Sequence, residues 1–299
     1  MMDISIIIVS YNVKEYIISC IESIYKHSKS NHSFEIVVVD NNSKDGTTDS
    51  LVKEFPKISL IKNKYNAGFS IAANQGVKLC QGKYILILNP DTLFIEDTLG
   101  KLINAVKNQK ELGAIGPALV DDSGAFQQSF WRNPSIINTL LSIFHLDLLN
   151  YKKNYKDKRF NIISDVETIS GAALFLQRKT FNKLNGFNEK LFWMEDVDLC
   201  FRLNQLGYKT YYLPLTKIIH FSGKSAKTNY KVAISNQLLS KIKFFRIHHS
   251  KLSASIILFS ILFISLVKSI LLLFISPFSS LYRRKMVAYL YTIRSVFNS

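Results

Sequence analysis

Short apolar runs alternate with stretches of helical apolar spacing along the first third of the chain. The runs predict strands at Ile4–Val9, Glu35–Val39, Ile58–Lys62 and Tyr84–Leu88. Between them, apolar residues recur every three or four positions and predict helices at Lys14–Lys26, Asp45–Phe55 and Ala67–Leu79. Strands and helices that alternate in this order predict an α/β fold with a mostly parallel, doubly wound sheet flanked by helices.

The alternation becomes less regular in the middle of the chain. A mixed polar and aromatic segment from about 121 to 165 interrupts it, and we interpret this segment as an insertion. On either side the pattern predicts helices at Thr98–Asn108 and Glu195–Leu206, and strands at Gly113–Leu119, Gly171–Gln177 and Lys209–Leu213. We assign residues 1–230 to one domain.

The C-terminal quarter has a different character. Residues 231–251 form a basic connector with interleaved apolar side chains, residues 252–278 are almost wholly apolar, and residues 279–299 form a basic tail. An apolar run of this length can cross a bilayer, which takes about 20 residues. Basic residues flank both ends and Lys268 interrupts the run, so three arrangements stay open: one membrane span, a re-entrant or in-plane helix, or a soluble core helix.

The composition restricts the partners of this chain. Its formal net charge of +16 favours nucleic acid, anionic lipid or phosphorylated substrates. The sequence has no zinc knuckle, basic zipper or RNA-binding aromatic motif, so we expect no nucleic acid partner. The basic residues concentrate beside the apolar C-terminal run, which favours a membrane surface.

The cysteines and the N-terminus bear on the compartment. Cys20, Cys80 and Cys200 are odd in number and lack C-x-x-C spacing, so they predict a reducing compartment rather than a disulfide framework or a zinc site. The run Ile4–Val9 has no basic leader or cleavage site, and it predicts a first strand rather than a secretory signal.

Polar residues follow the predicted strands, where open α/β sheets place their ligands. Tyr11 follows the first strand and can stack on a nucleobase. Asp40 ends the second strand and can accept a hydrogen bond from a base imide or a ribose hydroxyl, or it can instead cap its own turn. Asn66 and Gly68 open a helix whose free N–H groups can face a phosphate, although an ordinary strand-to-helix turn has the same residues.

The segment Asn89-Pro90-Asp91, at the end of the fourth strand, is the sharpest candidate for chemistry. The Asp91 carboxylate can hold a Mg²⁺ or Mn²⁺ ion that bridges diphosphate oxygens, and Asn89 can add a carbonyl ligand. Asp91 can alternatively cap the following helix. Together with Asp40 and the later acidic residues, this segment points to an enzyme that handles a nucleotide-sugar.

Three carboxylates, those of Glu195, Asp196 and Asp198, lie at the start of a predicted helix. Acidic residues favour the first turn of any helix, but the apolar residues 192–194 before them predict a dry pocket. We interpret Asp196 as the general base for a sugar hydroxyl, with Glu195 and Asp198 orienting or structural. His220, at a strand end, can bind the metal or a phosphate oxygen, or it can be structural.

Six short motifs occur in the order seen in family 2 glycosyltransferases. They are Val9-Ser10-Tyr11-Asn12, Asp40-Asn41-Asn42-Ser43, Asn66-Ala67-Gly68-Phe69, Asn89-Pro90-Asp91, Ser170-Gly171-Ala172 and Glu195-Asp196-Val197-Asp198. His220-x-x-Gly223-x-Ser225 follows them, and with it the chain resembles the rhamnosyltransferase-like branch over about residues 3–226.

The resemblance implies a GT-A fold, a UDP- or dTDP-linked sugar donor, a divalent cation and inversion at the anomeric carbon. It implies that Tyr11 and Asp40 hold the base, that Asp91 lies at the metal position and that His220 lies near the diphosphate. Asp196 would be the catalytic base. Three further residues of the matching motifs, Asn42, Asn66 and Gly68, would join the donor site. The family's metal motif often carries two aspartates, whereas its first position here is Asn89.

The apolar segment extends this interpretation to the acceptor. It favours a glycan or polyprenyl-linked acceptor, at the cytoplasmic face of a bacterial inner membrane, in the synthesis of a polysaccharide such as O-antigen. A nicotinamide-dependent oxidoreductase is disfavoured because no G-x-G-x-x-G follows the first strand. The alternative that stays open is a catalytically inactive, membrane-tethered scaffold or sugar-nucleotide-binding protein of the same fold.

Overall fold

A computed structural model describes residues 2–29, 31–107, 109, 111–146, 162–221 and 230–297 of the chain. The chain divides into two compact units. The first comprises Met1–Arg132, Lys158–Glu189 and Glu195–Ser222, and the second comprises Asn133–Asp157, Lys190–Met194 and Gly223–Ser299. All the predicted site residues therefore belong to the first unit.

The described residues contain twelve strands and ten α-helices. The strands are β1 (Ile4–Ser10), β2 (Phe34–Asp40), β3 (Ser59–Lys62), β4 (Tyr84–Leu88), β5 (Thr92–Phe94), β6 (Leu112–Val120), β7 (Phe126–Gln127), β8 (Phe130–Trp131), β9 (Ser164–Val166), β10 (Thr168–Ile169), β11 (Ala173–Gln177) and β12 (Lys209–His220). The helices are α1 (Lys14–His27), α2 (Thr47–Glu54), α3 (Phe69–Leu79), α4 (Thr98–Lys107), α5 (Ile136–Ile143), α6 (Arg178–Lys183), α7 (Glu195–Gln205), α8 (Tyr230–His248), α9 (Lys251–Ile275) and α10 (Ser280–Phe297).

A mixed sheet in the order β3-β2-β1-β4-β11-β6-β12-β5 forms the centre of the first unit, with β7 beside β6 and β9 beside β12. Parallel pairing joins β1 to β2 and β4, β2 to β3, and β6 to β12. This confirms a mostly parallel α/β sheet. Beyond β4 the sheet is mixed, because β11 inserts antiparallel between β4 and β6.

The central strands form because both faces of the sheet are covered. Every residue of β1 is buried, as are Ile85, Leu86, Ile87 and Leu88 in β4. Strands buried on both faces carry continuous apolar runs rather than alternating ones, which is the pattern that predicted them. On α1 the buried residues Ile17, Ile21 and Ile24 recur at helical spacing and join the same core.

Two strands differ from their predicted form. β5, only three residues long, follows the Asn89-Pro90-Asp91 segment where a helix cap was the alternative, and it pairs antiparallel with the end of β12. β12 is one strand of 12 residues with an irregularity between Leu213 and Lys217, rather than a short strand ending at Leu213. The three cysteines are free and buried.

The regular elements in the described part of the second unit are helices. Most of the basic connector lies within α8, and the predicted basic tail is the 18-residue helix α10. α9 runs without a break past Lys268 and is followed by a 3₁₀ turn, Ser276–Phe278, which contains Pro277. Among the described residues, Lys251–Phe278 is the one helical stretch long and apolar enough to cross a membrane.

Candidate functional site

The predicted site residues share one edge of the sheet. β1, β2 and β4 are parallel neighbours, with Ser10 opposite Asp40, so their carboxyl ends meet at this edge. β11 runs antiparallel to β4 and brings Ala172 to the same edge, where its carbonyl oxygen accepts a hydrogen bond from the Asn89 N–H at 2.9 Å. β12 runs in the direction of β6 and ends there as well, at His220.

Asp40 is buried, with 1% of its surface exposed. Its Oδ1 accepts hydrogen bonds from the hydroxyls of Ser10 at 2.8 Å and Ser43 at 2.5 Å, and its Oδ2 accepts one from the Ser43 N–H at 2.8 Å. A carboxylate has about four acceptor positions, so one position on Oδ2 stays available. Asp40 thus organises its own turn, as one alternative held, and keeps the capacity to accept a bond from a ligand.

The loops around Asp40 are held by their own polar side chains. Asn42 adopts a left-handed backbone with φ 65°, which asparagine tolerates better than most residues. Its amide Nδ2 donates to the Lys64 carbonyl oxygen at 2.9 Å, and its Oδ1 accepts from the Lys44 ammonium at 2.7 Å. Tyr11, at the end of β1, is 49% exposed, so its ring is accessible for stacking.

The turn before α3 needs a glycine. Gly68 has φ 84°, and the Asn66 Oδ1 accepts a hydrogen bond from its N–H at 3.0 Å. The Gly68 carbonyl oxygen accepts a hydrogen bond from the Asn41 Nδ2 at 3.2 Å, which ties this turn to the loop after β2. The structure therefore brings these two predicted donor-site segments into contact.

Asp91 and His220 face each other across two strand ends. The Asp91 Oδ1 lies 3.5 Å from the His220 Nε2, and their side chains are 21% and 13% exposed. The Phe221 N–H donates to the Asp91 carbonyl oxygen at 2.9 Å, which fixes the two segments together. Within the described residues, no three His, Cys, Asp or Glu side chains cluster as metal ligands. The protein therefore presents a pair of donor atoms at this point.

Gln127 determines which ring nitrogen of His220 carries a proton. The Gln127 Nε2 donates to the His220 carbonyl oxygen at 2.7 Å, so its Oε1 faces the His220 Nδ1, at 3.1 Å. Because an amide oxygen only accepts, this network assigns the proton to Nδ1. The neutral ring then presents the lone pair of Nε2 to the Asp91 carboxylate. Two acceptors that face each other in this way can be bridged by a cation.

Asp196 stands at the start of α7. Its Oδ2 accepts a hydrogen bond from the Gly171 N–H at 2.7 Å, and its Oδ1 accepts one from the Val197 N–H at 2.8 Å. Desolvation raises the pKa of the Asp196 carboxyl above its ordinary value of 3.8, partly offset by these N–H groups. A Cβ atom on residue 171 would lie 3.2 Å from the Asp196 Cβ, so glycine permits the close approach.

Asp198, two residues further along the same helix, is fully buried and has another partner. Its Oδ2 accepts hydrogen bonds from Arg202, whose Nε and Nη2 each lie 2.7 Å away. Arg202 also donates to the carbonyl oxygens of Leu184 at 2.7 Å and Gly186 at 2.8 Å. The pair therefore ties α7 to the loop before it, and Arg202 is occupied by the protein itself rather than facing a ligand.

The apolar residues before Glu195 do not all form a dry wall. Met194 is buried, but Phe192 and Trp193 are 43% and 41% exposed, so that expectation is wrong for two of the three.

Gly223 and Ser225 of the His220 motif lie outside the described residues. Gln127 was missed by the sequence analysis because it lies 93 positions from His220 and carries no local pattern.

Two solved structures share this fold. The mannosyltransferase PcManGT from Pyrobaculum calidifontis, in complex with GDP-Man and Mn²⁺, has a TM-score of 0.59 and 16% identity, covering 98% of this chain and 86% of its own. GalNAc-T7 with UDP, GalNAc and Mn²⁺ has a TM-score of 0.56 and 16% identity, covering 74% of this chain and 44% of its own. The fold is GT-A, as the resemblance implied.

Sequence relatives narrow this class. A family model described as Glycosyl transferase family 2 matches residues 5–184, and the chain belongs to that family. The N-acetylglucosaminyl-diphospho-decaprenol L-rhamnosyltransferase of Mycobacterium tuberculosis (strain CDC 1551 / Oshkosh) is 26% identical over 212 residues, which cover 64% of this chain and 67% of that protein. Rhamnosyltransferase WbbL of Escherichia coli (strain K12) is 24% identical over 249 residues, covering 80% and 91%. The prediction of a rhamnosyltransferase-like glycosyltransferase is confirmed.

Proposed function

We propose that this enzyme transfers a sugar, with inversion, from a UDP- or dTDP-linked donor to a glycan or polyprenyl-linked acceptor in cell-surface polysaccharide synthesis. The names of its relatives support this proposal, since two are rhamnosyltransferases and one of them names a decaprenyl diphosphate carrier. Rhamnose is therefore the first sugar to test. Other relatives are named for teichoic acid and O-antigen biosynthesis.

One chain of hydrogen bonds carries the proposal. The Asn89 N–H bonds the Ala172 carbonyl oxygen, and the neighbouring Gly171 N–H bonds the Asp196 carboxylate. Asp91 lies two residues beyond Asn89 in sequence. A group suited to the diphosphate and a group suited to the acceptor hydroxyl are thereby tied to one sheet edge, where direct displacement at a single carbon would need both.

Asp196 has the properties of a general base. It would take the proton of the acceptor hydroxyl while that oxygen forms a bond to the anomeric carbon. The bond from this carbon to the diphosphate breaks on the opposite face, and its electron pair leaves with the diphosphate. Each Asp196 oxygen accepts one backbone N–H and has a second lone pair for the hydroxyl. Its raised pKa makes it a stronger base than an exposed aspartate.

Asp91 and His220 would hold a Mg²⁺ or Mn²⁺ ion. The fit rests on the convergence of Oδ1 and Nε2, two acceptors that can share a cation, and on the Gln127 contact that leaves Nε2 unprotonated in the neutral ring. Two protein ligands suit these ions, which commonly complete their coordination with substrate phosphates and water. When bound, the ion neutralises charge on the departing diphosphate.

Donor recognition would come from the neighbouring strand ends. The exposed Tyr11 ring would stack on the base, and the open acceptor position of Asp40 would take a hydrogen bond from the base or the ribose. The turn Asn66–Gly68, the loop at Asn42 and the Asn89 segment would border the donor. Because the amide groups of Asn42 and Asn66 are used within their loops, these residues would shape the site rather than bind directly.

Transfer from labelled donors tests the proposal. The purified full chain would be given UDP- and dTDP-sugars, with Mg²⁺ or Mn²⁺ and a synthetic polyprenyl-diphosphate N-acetylglucosamine acceptor. We expect transfer with inverted anomeric configuration, read by NMR of the product, and its loss in Asp196→Asn. Asp122→Asn, the same change on an exposed loop, is the control. Unchanged transfer by Asp196→Asn would refute the base, and retention of configuration would refute inversion.

An inactive scaffold makes a different prediction. Such a protein would show a donor-induced rise in melting temperature but no turnover with any donor or acceptor.

We place the enzyme at the cytoplasmic face of a bacterial inner membrane. Its three free, buried cysteines fit a reducing compartment, and its apolar C-terminal helix fits a lipid-linked acceptor.

A further inference from the structure

Helix α9 exposes a continuous apolar stripe. Eight exposed large apolar side chains recur every three or four residues, which places them on one side of the helix. They are Leu252, Ile256, Phe259, Phe263, Leu266, Ile270, Leu273 and Phe274. Leu271 and Ile275 are exposed as well, on the other side of the last two turns. Two half-buried serines, Ser255 and Ser260, border the stripe. At a rise of 1.5 Å per residue it extends for roughly 33 Å. A contiguous exposed apolar surface of this kind marks a site of contact with a partner or a lipid.

The buried polar residues of α9 lie away from this stripe. Ser253, Ser265 and Ser269 are buried within the second unit together with Ile257 and Ile261. Lys268 is on this side too, since its ammonium lies 2.6 Å from the His145 Nε2 and 3.3 Å from the Tyr289 hydroxyl. The helix therefore places its polar side against protein and its apolar side outward, the reverse of a helix on a water-facing surface. This polarity indicates that the outer medium is apolar.

The neighbouring helices argue against a span perpendicular to the membrane. α10 follows a short turn after α9 and packs back along it, with Tyr289 beside Lys268, and it also packs on α8. In this register Arg294 falls near the level of Phe263, about the middle of the stripe. If α9 crossed a bilayer, α10 would carry this exposed arginine toward the bilayer centre, where arginine is among the least tolerated residues.

The charge of this part of the chain identifies the kind of surface. No Asp or Glu follows Asp198, and residues 230–299 contain ten Lys and Arg residues. Exposed basic residues flank the stripe, Lys251 at its start and Arg283 and Arg284 after its end. Basic segments beside a membrane are attracted to anionic lipid headgroups, whereas a membrane without net charge provides no such electrostatic attraction.

We propose that α9 lies in the plane of an anionic membrane surface, with its apolar stripe among the acyl chains and its basic neighbours at the headgroups. This deepens the proposed function, because it would hold the enzyme where a lipid-linked acceptor is presented. The anchoring itself needs no sugar, so its test and the transfer assay fail independently.

Vesicle flotation tests the surface. The full chain would be mixed with phosphatidylcholine vesicles with or without phosphatidylglycerol. We expect flotation with the anionic vesicles, weakened by salt, and at least a tenfold loss of partitioning in Phe259→Ser/Phe263→Ser. Val52→Ser/Leu79→Ser is the matched control, since these apolar residues are 56% and 61% exposed on the first unit. The proposal would be overturned if the stripe variant floats like wild type. It would also be overturned if the wild-type protein forms an oligomer without lipid and the stripe substitutions convert that oligomer to monomers.

Probe depth separates an in-plane helix from a span. Single cysteines at Ile256→Cys, Leu266→Cys and Phe274→Cys would carry an environment-sensitive fluorophore, because the three native cysteines are buried and react poorly. Lipids with quenchers at different depths would then report each position. An in-plane stripe gives equal, shallow depths at all three sites. A maximum of depth at Leu266→Cys, with shallow ends, would show a membrane span and overturn the proposal.

Discussion

Asp196 and Asp198, two carboxylates on the first turn of α7, are expected to fail in different ways when each is replaced by asparagine. Asp198 is fully buried, and both contacts of Arg202 with its Oδ2 are 2.7 Å long. Removing the negative charge leaves the Arg202 guanidinium, whose side chain is only 18% exposed, with the carbonyl oxygens of Leu184 and Gly186 and a neutral amide as partners. Asp198→Asn should therefore destabilise the fold, whereas Asp196→Asn should abolish transfer.

The size of the effect follows from the burial of the pair. Breaking a buried ion pair by removing one partner costs about 3–5 kcal/mol, and the asparagine oxygen can still accept one bond, so we expect about 3 kcal/mol. For a unit of this size each kcal/mol lowers the melting temperature by about 2–4 °C, which gives a fall of roughly 6–12 °C. The exposed pair Lys209–Glu111, separated by 3.6 Å, should contribute under about 1 kcal/mol, so Glu111→Gln is the control.

Thermal unfolding followed by circular dichroism, and transfer assayed well below the melting temperature, distinguish the two variants. Asp198→Asn should retain most of its transfer at low temperature and melt early. Asp196→Asn should lose transfer and still fold cooperatively. An Asp198→Asn protein with the wild-type melting temperature would refute the reasoning about burial. Loss of its transfer without loss of stability would place Asp198 in the chemistry.

Three further predictions concern the site. Gln127→Leu should lower the affinity for Mn²⁺ by about 10- to 100-fold, because His220 loses the partner that fixes its tautomer. Electron paramagnetic resonance measures this affinity, and the control Gln128→Leu should leave it unchanged. Gly171→Ala should lower kcat about tenfold with little change in donor KM, since its new methyl group would press on Asp196; an unaltered kcat contradicts this. The rate of transfer should fall as the pH decreases through the pKa of Asp196, which is raised above 3.8, because a general base must be unprotonated. This acidic limb of the pH–rate profile should move to lower pH only if the carboxyl becomes solvated. The same shift links the stability of the fold to pH. Because burial penalises the ionised Asp196 carboxyl, this contribution to stability is complete below pH 3.8, the ordinary pKa of aspartate. It is lost as the pH rises through the raised pKa of the folded protein.

A further prediction concerns the carboxylate of Asp91. Asp91→Asn should abolish the effect of added Mn²⁺ on donor binding without unfolding the sheet, because Asp91 is a partly exposed residue after β4 rather than part of the core. Isothermal titration with the donor, with and without Mn²⁺, would measure this. A metal effect of wild-type size in the variant would exclude Asp91 as a ligand.

Local patterns predicted much of the fold because they report burial along the chain. The apolar runs of β1, β2 and β4 and the helical spacing of α1 were assigned nearly to their ends. The order of these elements then implied that Asp40 and Asp91 lie at one sheet edge, since the carboxyl ends of parallel neighbours meet there.

Contacts between distant positions could not be obtained in this way. The antiparallel insertion of β11 beside β4, the Gly171 N–H that holds Asp196 and the Gln127 amide that orients His220 all join residues far apart in sequence. The outward side of α9 is a similar case. An apolar run shows that a helix avoids water, but only its packing against α10 shows which side faces protein and which faces outward. The apolar periodicity of a segment indicates which of its residues are buried. The partner of each strand or side chain, however, depends on where the rest of the chain has packed.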